Sequence, residues 1–146
     1  MRVYLDNCCF NRPFDDQSLL SVRLETEAKL GIQEQIKSGR FSLGWSYILD
    51  FENNANPFPE KMIEIQRWKD VADLFVNETQ EILQKMNELT AIGLKSLDAL
   101  HVACACSLQC QYFLTVDKGL LKRTKEYTEI KIINPVNFII EWDTKQ

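Results

Sequence analysis

Four acidic residues of this 146-residue chain stand at positions where their carboxylates could act together. They are Asp6, Glu52, Asp98 and Asp117. Clustered carboxylates repel one another, so a shared site is unfavourable unless a cation lies among them. Oxygen ligands select hard ions such as Mg²⁺ or Mn²⁺, and water bound to these ions can attack a phosphodiester. The four acids therefore indicate an acidic metal site for phosphoryl chemistry.

Two of these acids follow predicted strands, and two lie on predicted helices. Asp6 comes directly after an apolar run, and Asp117 follows the run that ends in "FLTV". Because open parallel sheets bind ligands beyond the carboxyl ends of their strands, we expect both residues at that edge. Asp98 opens the apolar segment "SLDALHVACACSL", where a carboxylate is costly to bury without a partner. Glu52 is the last acid of the short helical segment "SYILDFENN".

Each acid taken alone has a simpler interpretation. Acids often end strands as turn residues, and Glu52 alone would be a surface charge. Ser96 is a candidate N-cap, which would place Asp98 near the second helical position, where the helix dipole favours a carboxylate. His101 shares a helix face with Asp98 and is either a partner of the site or, more simply, a packed core histidine. The metal site is predicted from the four acids together.

Other catalytic arrangements lack their motifs. The sequence contains no G-x-S-x-G nucleophile motif, no phosphate-binding GxxxxGK[ST] loop and no GxGxxG dinucleotide motif. The single histidine excludes a multi-histidine zinc site. The net charge of −4 argues mildly against nucleic-acid binding by bulk electrostatics. A basic rim is still available locally, or these residues are simply solvated: Arg12, Lys37, Arg40, Lys118, Lys122, Arg123 and Lys125.

The cysteines predict reduced thiols in a cytoplasmic protein. Their number, five, is odd, no CxxC spacing occurs, and the N-terminal segment becomes acidic too early for a signal peptide. On a predicted helix over 96–109, Cys106 and Cys110 share a face while Cys104 points away, so the three cannot close a zinc site by themselves. The five are Cys8, Cys9, Cys104, Cys106 and Cys110, and we interpret the last three as small buried hydrophobes.

The element pattern predicts one α/β domain over residues 1–146 with a parallel sheet. Strands are expected at 2–5, 41–45, 111–116 and 130–133. Helices are expected at 18–37, from Ser46 as N-cap through "YILDFENN", and at 60–75, 78–92, 96–109 and 118–126. The tail "PVNFIIEW" fits a helix or an edge strand. The middle of the chain is therefore predicted to be a wholly helical insertion, and no segment is long and apolar enough to span a membrane.

Four segments, in order, resemble those that define PIN domains. They are "VYLDNCCFNRPFDD", "GWSYILDFENN", "LKSLDALHVACA" and "YFLTVDKGLLK", and the resemblance runs from Met1 to about Pro135. It implies a PIN-like three-layer α/β/α sandwich with a central, mainly parallel sheet of four to five strands. PIN domains are typically Mg²⁺- or Mn²⁺-dependent ribonucleases. Many are VapC-type toxins of toxin–antitoxin pairs, and many are homodimers.

The resemblance also implies roles for individual residues. Asp6, Glu52, Asp98 and Asp117 match the family's catalytic and metal-binding acids. Thr115 matches a threonine whose hydroxyl could orient Asp117 or a metal-bound water, while Asn7 and Ser46 match supporting polar positions. The implied substrate is RNA, for which the contact candidates are Arg12, Lys118, Lys122 and Arg123. An antitoxin and a second copy of the chain are the implied protein partners.

One departure from the family pattern keeps two further hypotheses open. The first acid is followed by "NCC", where a Thr-Asn pair and an aliphatic residue are commoner. A catalytically weak or inactive PIN-like module that binds RNA or protein is therefore the alternative to a nuclease. A redox protein using Cys8 and Cys9 is remote, because vicinal cysteines rarely form an unstrained disulfide.

Overall fold

The computed structural model describes residues 1–145, which form a three-layer α/β/α sandwich around a five-stranded, all-parallel sheet. The strand order is β3-β2-β1-β4-β5. The strands are β1 (Arg2–Leu5), β2 (Ser42–Ser46), β3 (Leu74–Val76), β4 (Tyr112–Leu114) and β5 (Lys131–Ile133). The predicted fold class, a sandwich of this kind with a mainly parallel sheet of four to five strands, is confirmed.

Helices follow most of the strands and cover the sheet. Within the described range they are α1 (Asn7–Asn11), α2 (Leu20–Lys37), α3 (Tyr47–Asn54), α4 (Pro59–Val71), α5 (Gln80–Ala91), α6 (Ser96–Ser107), α7 (Lys118–Arg123) and α8 (Pro135–Thr144), with a 3₁₀ turn at Arg12–Phe14. Helix α2 packs against α8, and α5 packs against α6. None of the helices in residues 1–145 is long and apolar enough to cross a bilayer.

The central strands β1 and β4 explain why the sheet is rigid at its middle. Val3, Tyr4 and Leu5 are fully buried, as are Phe113 and Leu114 across the β1–β4 pair. Strands covered on both faces form continuous apolar runs, which is the pattern of the sequence here. The Tyr4 ring stacks on Phe113 with the ring centroids 5.2 Å apart. These two strands therefore give a fixed base to the residues that follow them.

The middle of the chain is not wholly helical, so that prediction was wrong. Strand β3 separates α4 from α5 and pairs with β2, with Leu74 opposite Gly44. The predicted helix over 60–75 ends instead at Val71, because Ala72 adopts an extended backbone with ψ 137°. A three-residue edge strand carries no detectable periodicity, and its pairing with β2 decides its conformation.

Smaller corrections concern the element ends. Lys95, rather than Ser96, is the N-cap of α6, so Asp98 is the third helical residue instead of the second. Helix α6 ends at Ser107, so Cys110 follows the helix and does not share a face with Cys106. The C-terminal segment is helix α8, which begins at a proline after the capping residue Asn134. The short helical turns of residues 7–14 were not predicted.

Candidate metal centre

Three adjacent strands deliver polar residues to one edge of the sheet. Strands β2, β1 and β4 are neighbours and parallel, so their carboxyl ends meet. Leu5 pairs with Leu114, and the residues that follow them are Asp6 and Thr115. Ser46 ends β2 and caps α3 by accepting a hydrogen bond from the Leu49 N–H at 3.2 Å. The edge predicted to carry the site is thus where these side chains lie.

Asp6 is held by the residues around it. The residue is only 7% exposed, and Oδ1 accepts the N–H of Asn7 at 2.9 Å as the N-cap of α1. The Thr115 hydroxyl donates to Oδ2 at 2.9 Å, and the Cys8 thiol lies 3.4 Å from the same oxygen. The backbone N–H of Asp6 donates to the Leu114 carbonyl at 2.9 Å. Asp6 therefore keeps one orientation at the end of β1.

Glu52 is half-buried on α3 and faces Asp6 across the sheet edge. The Asn7 amide donates to Glu52 Oε2 at 3.2 Å. The other amide atom, Asn7 Oδ1, is buried and has no hydrogen-bond partner within residues 1–145. Glu52 Oε1 is hydrogen-bonded to His101 Nε2. Both oxygens of this carboxylate are thus positioned by neighbouring side chains, while an unpartnered amide oxygen lies beside them.

His101, on α6, connects the acids to the core. It is 1% exposed, and its Nε2 lies 4.0 Å from Asp6 Oδ1 in addition to its bond with Glu52. Its Nδ1 is 2.6 Å from the Tyr4 hydroxyl, which is 2.6 Å from Ser46 Oγ. With one ring proton, at Nε2, every link of this chain has a donor and an acceptor. The arrangement extends from the α3 cap, through the centre of the sheet, to Glu52.

Ligand atoms from Asp6, Glu52 and His101 all lie within 4.8 Å of one another. A packed core histidine was the simpler prediction for position 101, and His101 is in fact both buried and part of the acidic group. The available signal was its spacing, since it lies one helical turn after Asp98. What the spacing could not reveal is that Glu52, from a distant part of the sequence, lies against its ring.

Asp98 and Asp117 lie outside that tight group but remain electrostatically connected to it. The pKa of Asp98, which is half-buried, is raised above its ordinary value by burial and then by the charges of Asp6 and Asp117, while His101 and Lys95 lower it. Asp117 is exposed and caps α7, with Oδ1 accepting the N–H of Leu120 at 3.1 Å. We refer to Asp6, Glu52, Asp98, Asp117 and His101 as the acidic edge.

This chain is similar to known proteins in its three-dimensional structure. No family model matches the sequence, and no curated protein matches it. A chain of VapBC2 from Rickettsia felis, solved bound to a DNA fragment from their promoter, matches with a TM-score of 0.59 and 12% identity over 92% of this chain and 98% of that one. FitAcB from Neisseria gonorrhoeae matches with a TM-score of 0.60 and 12% identity over 91% and 97%.

The fold is PIN-like. The resemblance in sequence and the likeness in structure both extend over most of the chain. At 12% identity the solved structures establish the architecture alone. The chemistry of this PIN-like domain has to be argued from its own residues.

The supporting residues predicted from the sequence have distinct contacts. Thr115 is fully buried, and its hydroxyl joins Asp6 Oδ2 to the N–H of Asp117, which it accepts at 3.1 Å. Asn7 holds Glu52, as described above. Ser46 holds Tyr4 and does not contact an acid directly. All three therefore support the acidic edge by fixing the orientation of its members or of the residue behind them.

The predicted RNA-contact residues differ in how free they are. Arg12 is shared between Glu25, at 2.8 Å, and Asp15, at 3.0 Å, so its charge is already compensated. Lys118, Lys122 and Arg123 are exposed on α7, the helix capped by Asp117. A Cβ at Gly119 would lie 3.1 Å from Arg123 Nη1 and 3.2 Å from Asp117 Oδ1, so both side chains crowd this glycine. Among these four candidates, the accessible positive charge is therefore on α7, beside the acidic edge.

The cysteines of residues 1–145 are all free thiols. Cys8 borders the acidic edge, 3.4 Å from Thr115 Oγ1, and accepts the N–H of Val116 at 3.5 Å. Cys9 is buried and donates to the Leu114 carbonyl. Burial raises the pKa of the Cys104 and Cys110 thiols to about 12. Those two thiols therefore stay protonated and behave as packing groups.

The residues present fit a hard divalent cation. Carboxylate oxygens of Asp6 and Glu52 converge, and the raised pKa of Asp98 comes in part from carboxylate repulsion that a cation would relieve. The unpartnered Asn7 Oδ1 is a further oxygen of the type that Mg²⁺ or Mn²⁺ accepts. The single histidine is compatible with Mn²⁺ as well, because imidazole suits transition metals.

Proposed function

We propose that this chain is a Mg²⁺- or Mn²⁺-dependent endoribonuclease that hydrolyses RNA phosphodiester bonds. The observation that carries this proposal is the convergence of acids at the carboxyl edge of a PIN-like sheet. Asp6 and Glu52 offer oxygens within 4.8 Å, and the charges of Asp6 and Asp117 raise the pKa of Asp98. Like charges gathered in this way are the arrangement that a divalent cation stabilises.

The acids proposed to hold the metal are Asp6, Glu52, Asp98 and Asp117. When bound, the ion would supply an activated water and stabilise the negative charge that develops on the phosphate. The contribution of the protein itself is to hold the carboxylate oxygens in a fixed orientation. Thr115 and the Asn7 N–H fix the two oxygens of Asp6, while the Asn7 amide and His101 fix those of Glu52.

RNA is proposed to approach along helix α7. Lys118, Lys122 and Arg123 are exposed there, next to Asp117, and phosphate contacts from Lys and Arg position a nucleic-acid backbone without reading its sequence. The negative net charge of the whole chain does not oppose this, because the contact is local. Arg12 stands apart, since its partners Asp15 and Glu25 already neutralise it.

A toxin role in a toxin–antitoxin pair is the biological setting we propose. One matched structure is VapBC2 bound to a DNA fragment from their promoter, and VapC-type toxins are among the proteins that the sequence resemblance implied. An antitoxin protein and a second copy of this chain are accordingly the proposed partners. Co-expression with the product of an adjacent open reading frame, followed by co-purification, tests the first partner, and light scattering tests the second.

The deciding experiment measures RNA cleavage with and without metal. Wild-type protein is expected to cut single-stranded RNA with Mg²⁺ or Mn²⁺ and to stop when EDTA is added. Asp6→Asn and Asp98→Asn should each reduce the rate at least about a hundredfold, because each removes a charge from the metal site. Asp70→Asn, an exposed acid on α4, is the matched control and should keep the wild-type rate. Full activity of Asp98→Asn would reject the site assignment.

A second candidate function, RNA or protein binding without cleavage, is favoured by one observation. Both carboxylate oxygens of Glu52 are already engaged by protein groups, Oε2 by Asn7 and Oε1 by His101. A carboxylate held in this way has fewer free lone pairs for a metal. Calorimetric titration separates the candidates, since absence of Mn²⁺ binding at millimolar concentration combined with RNA binding would favour the non-cutting module.

A further inference from the structure

A cavity of about 280 Å³ lies between α1, α2 and α4, and we refer to it as the α2 cavity. Its apolar wall includes Phe10, Ile65 and Trp68. Its polar lining comes mainly from one face of α2, where Lys29, Gln33 and Lys37 follow one another at intervals of four residues. No acid of the acidic edge is among the residues of 1–145 that line it, so its chemistry is separate from the proposed nuclease site.

Lys29 is a largely buried cation that forms no salt bridge with residues 1–145, although the charge of the more distant Glu64 partly offsets the effect of burial on its pKa. The lysine is 5% exposed, and no carboxylate of the described residues lies within salt-bridge distance of its ammonium group. Glu64 lines the same cavity but pairs with Arg67 at 2.7 Å. The ammonium is 5.6 Å from the centroid of the Phe10 ring, and burial lowers the pKa of Lys29 to about 8. A buried charge in this situation is unfavourable until an anion arrives.

Gln33 is a second polar residue of this cavity whose hydrogen-bonding capacity is unused within residues 1–145. It is 4% exposed, and its Nε2 has no hydrogen-bond partner in the part of the chain that the structure describes. Buried amide groups are normally hydrogen-bonded, because leaving one unpaired is costly. Lys29 and Gln33 are thus neighbours on one helix face that line the same cavity, where the Lys29 ammonium is accessible and the Gln33 amide nitrogen is covered by protein.

The charges around the cavity select the class of ligand. Lys29 and Lys37 are positive and Glu64 is negative, so the lining carries one net positive charge. That balance matches a monoanion and disfavours a dianionic phosphate. The ammonium of Lys37 lies 5.1 Å from the centroid of the Trp68 ring, which leaves an aromatic surface beside the donors. A ligand with one carboxylate and a flat apolar body satisfies both features.

We infer that the α2 cavity binds a small organic monocarboxylate, with its carboxylate at Lys29 and its apolar part against Phe10, Ile65 and Trp68. The carboxylate gives Lys29 a charge-assisted hydrogen bond, and the Gln33 amide becomes its second donor when that side chain turns toward the ligand. The apolar body excludes water from around the ion pair. This inference does not depend on nuclease activity, since none of these residues belongs to the acidic edge.

Benzoate is the probe for this inference, with benzamide as its neutral isostere. The full chain is titrated with each compound while the δ1 methyl signal of Ile65 is followed by NMR. Benzoate is expected to shift that signal with saturation, and benzamide to bind at least about tenfold more weakly, because it lacks the charge. Equal binding of the two compounds, or no saturation with benzoate up to 50 mM, would overturn the inference.

Substitutions assign the binding to the cavity. Lys29→Met, which keeps the length of the side chain and removes the charge, should weaken benzoate binding about tenfold or more. Lys125→Met, an exposed lysine that lines a different cavity, is the matched control and should bind benzoate as the wild type does. If Lys29→Met does not fold, the benzoate–benzamide comparison on the wild type still decides. Tighter binding of inorganic phosphate than of benzoate would contradict the monocarboxylate class.

Discussion

Buried charges are held by hydrogen-bonding partners at the acidic edge, whereas the buried charge of the α2 cavity has no salt bridge in the described part of the chain. At the acidic edge, Asp6 and Glu52 are each held by several donors, and His101 has partners at both ring nitrogens. In the α2 cavity, Lys29 has no ion-pair partner among residues 1–145, and Gln33 has an unpaired amide nitrogen. The first region is organised before its ligand binds, and the second depends on its ligand for compensation.

This difference has an energetic consequence. Donors around a carboxylate favour its charged form, so the acidic edge can gather acids at a moderate cost. The Lys29 ammonium forms no salt bridge in the range that the structure describes, so only the more distant charge of Glu64 offsets its desolvation cost. Removing charge from the α2 cavity should therefore stabilise the protein, whereas removing a partner from the acidic edge should weaken metal binding or the fold.

Lys29→Met is expected to stabilise the ligand-free protein at pH 7. A pKa near 8, against the ordinary 10.5, corresponds to roughly 3 kcal/mol of stability that the charged form removes. Because the unfolded chain holds this proton more tightly than the folded chain, wild-type stability should rise between about pH 8 and pH 10.5, and the penalty is fully present below pH 8. Urea unfolding at pH 7 and pH 10.5 measures both effects.

A Lys29→Met protein that is less stable than the wild type at pH 7 would contradict this contrast between the acidic edge and the α2 cavity. Lys125→Met is the control, because Lys125 is exposed and its removal should change stability by less than about 0.5 kcal/mol. A gain of equal size at both pH values would mean that methionine simply packs better than lysine, with no contribution from charge.

His101→Leu is expected to lower Mn²⁺ affinity about 10–100-fold, the usual cost of losing a residue that orients a metal ligand. Leucine cannot hydrogen-bond Glu52, and it leaves the buried Tyr4 hydroxyl with one partner fewer. His101→Gln keeps an amide donor and should recover part of the affinity. Calorimetric titration with Mn²⁺ measures all three proteins. Unchanged affinity in a folded His101→Leu protein would show that Glu52 is not oriented through this ring.

Ser46→Ala should cost more stability than the equivalent substitution at another helix cap. Ser46 caps α3 and also bonds the buried Tyr4 hydroxyl, whereas Thr79 caps α5 at the surface. Thr79→Ala should lose about 1 kcal/mol and Ser46→Ala about 2 kcal/mol or more, because only the latter leaves a buried hydroxyl with fewer partners. Thermal unfolding of both variants tests the difference. Equal losses of stability would show that the hydrogen bond between Ser46 and the Tyr4 hydroxyl adds nothing beyond an ordinary helix cap.

The sequence predicted the architecture well where local pattern and tertiary context agree. The apolar run at 2–5 became β1, because a strand that is buried on both faces forms a continuous apolar run. Helix α2 lies close to the bounds predicted for it, but its buried face is not simply apolar, since Lys29 and Gln33 are buried while Leu20 and Leu24 are exposed. Strand β3 was missed because its three residues take their conformation from β2 and have no period of their own. Pairing across the chain is information that a local window does not contain.

The acidic edge was predictable in part, because one of its acids directly follows a predicted strand. Asp6 lies directly after a strand, and parallel strands end together, so its position followed from the fold class. The place of His101 did not follow, because its two partners come from β1 and α3, 97 and 49 residues away. The α2 cavity was missed completely. Lys29 and Gln33 have the types and spacing of a solvated helix face, and only packing against α4 and α1 buries them.

Asp98→Asn is expected to raise the stability of the metal-free protein at neutral pH, by less than the change at Lys29, since Asp98 is only half-buried. Its raised pKa means that the folded chain holds this proton more tightly than the unfolded chain. Stability should therefore fall as pH rises from the ordinary carboxyl pKa of 3.8 through the raised pKa, and the gain in Asp98→Asn should vanish at pH 3.

Added Mn²⁺ should reverse the order of stability of the two proteins, because a bound ion stabilises the wild type more than a variant with a weaker site. Thermal unfolding in EDTA and in Mn²⁺, at pH 3 and pH 7, follows the whole pattern. A metal-free Asp98→Asn protein less stable than the wild type at pH 7 would mean that Asp98 serves the α6 helix terminus, and the acidic edge would then contain one acid fewer.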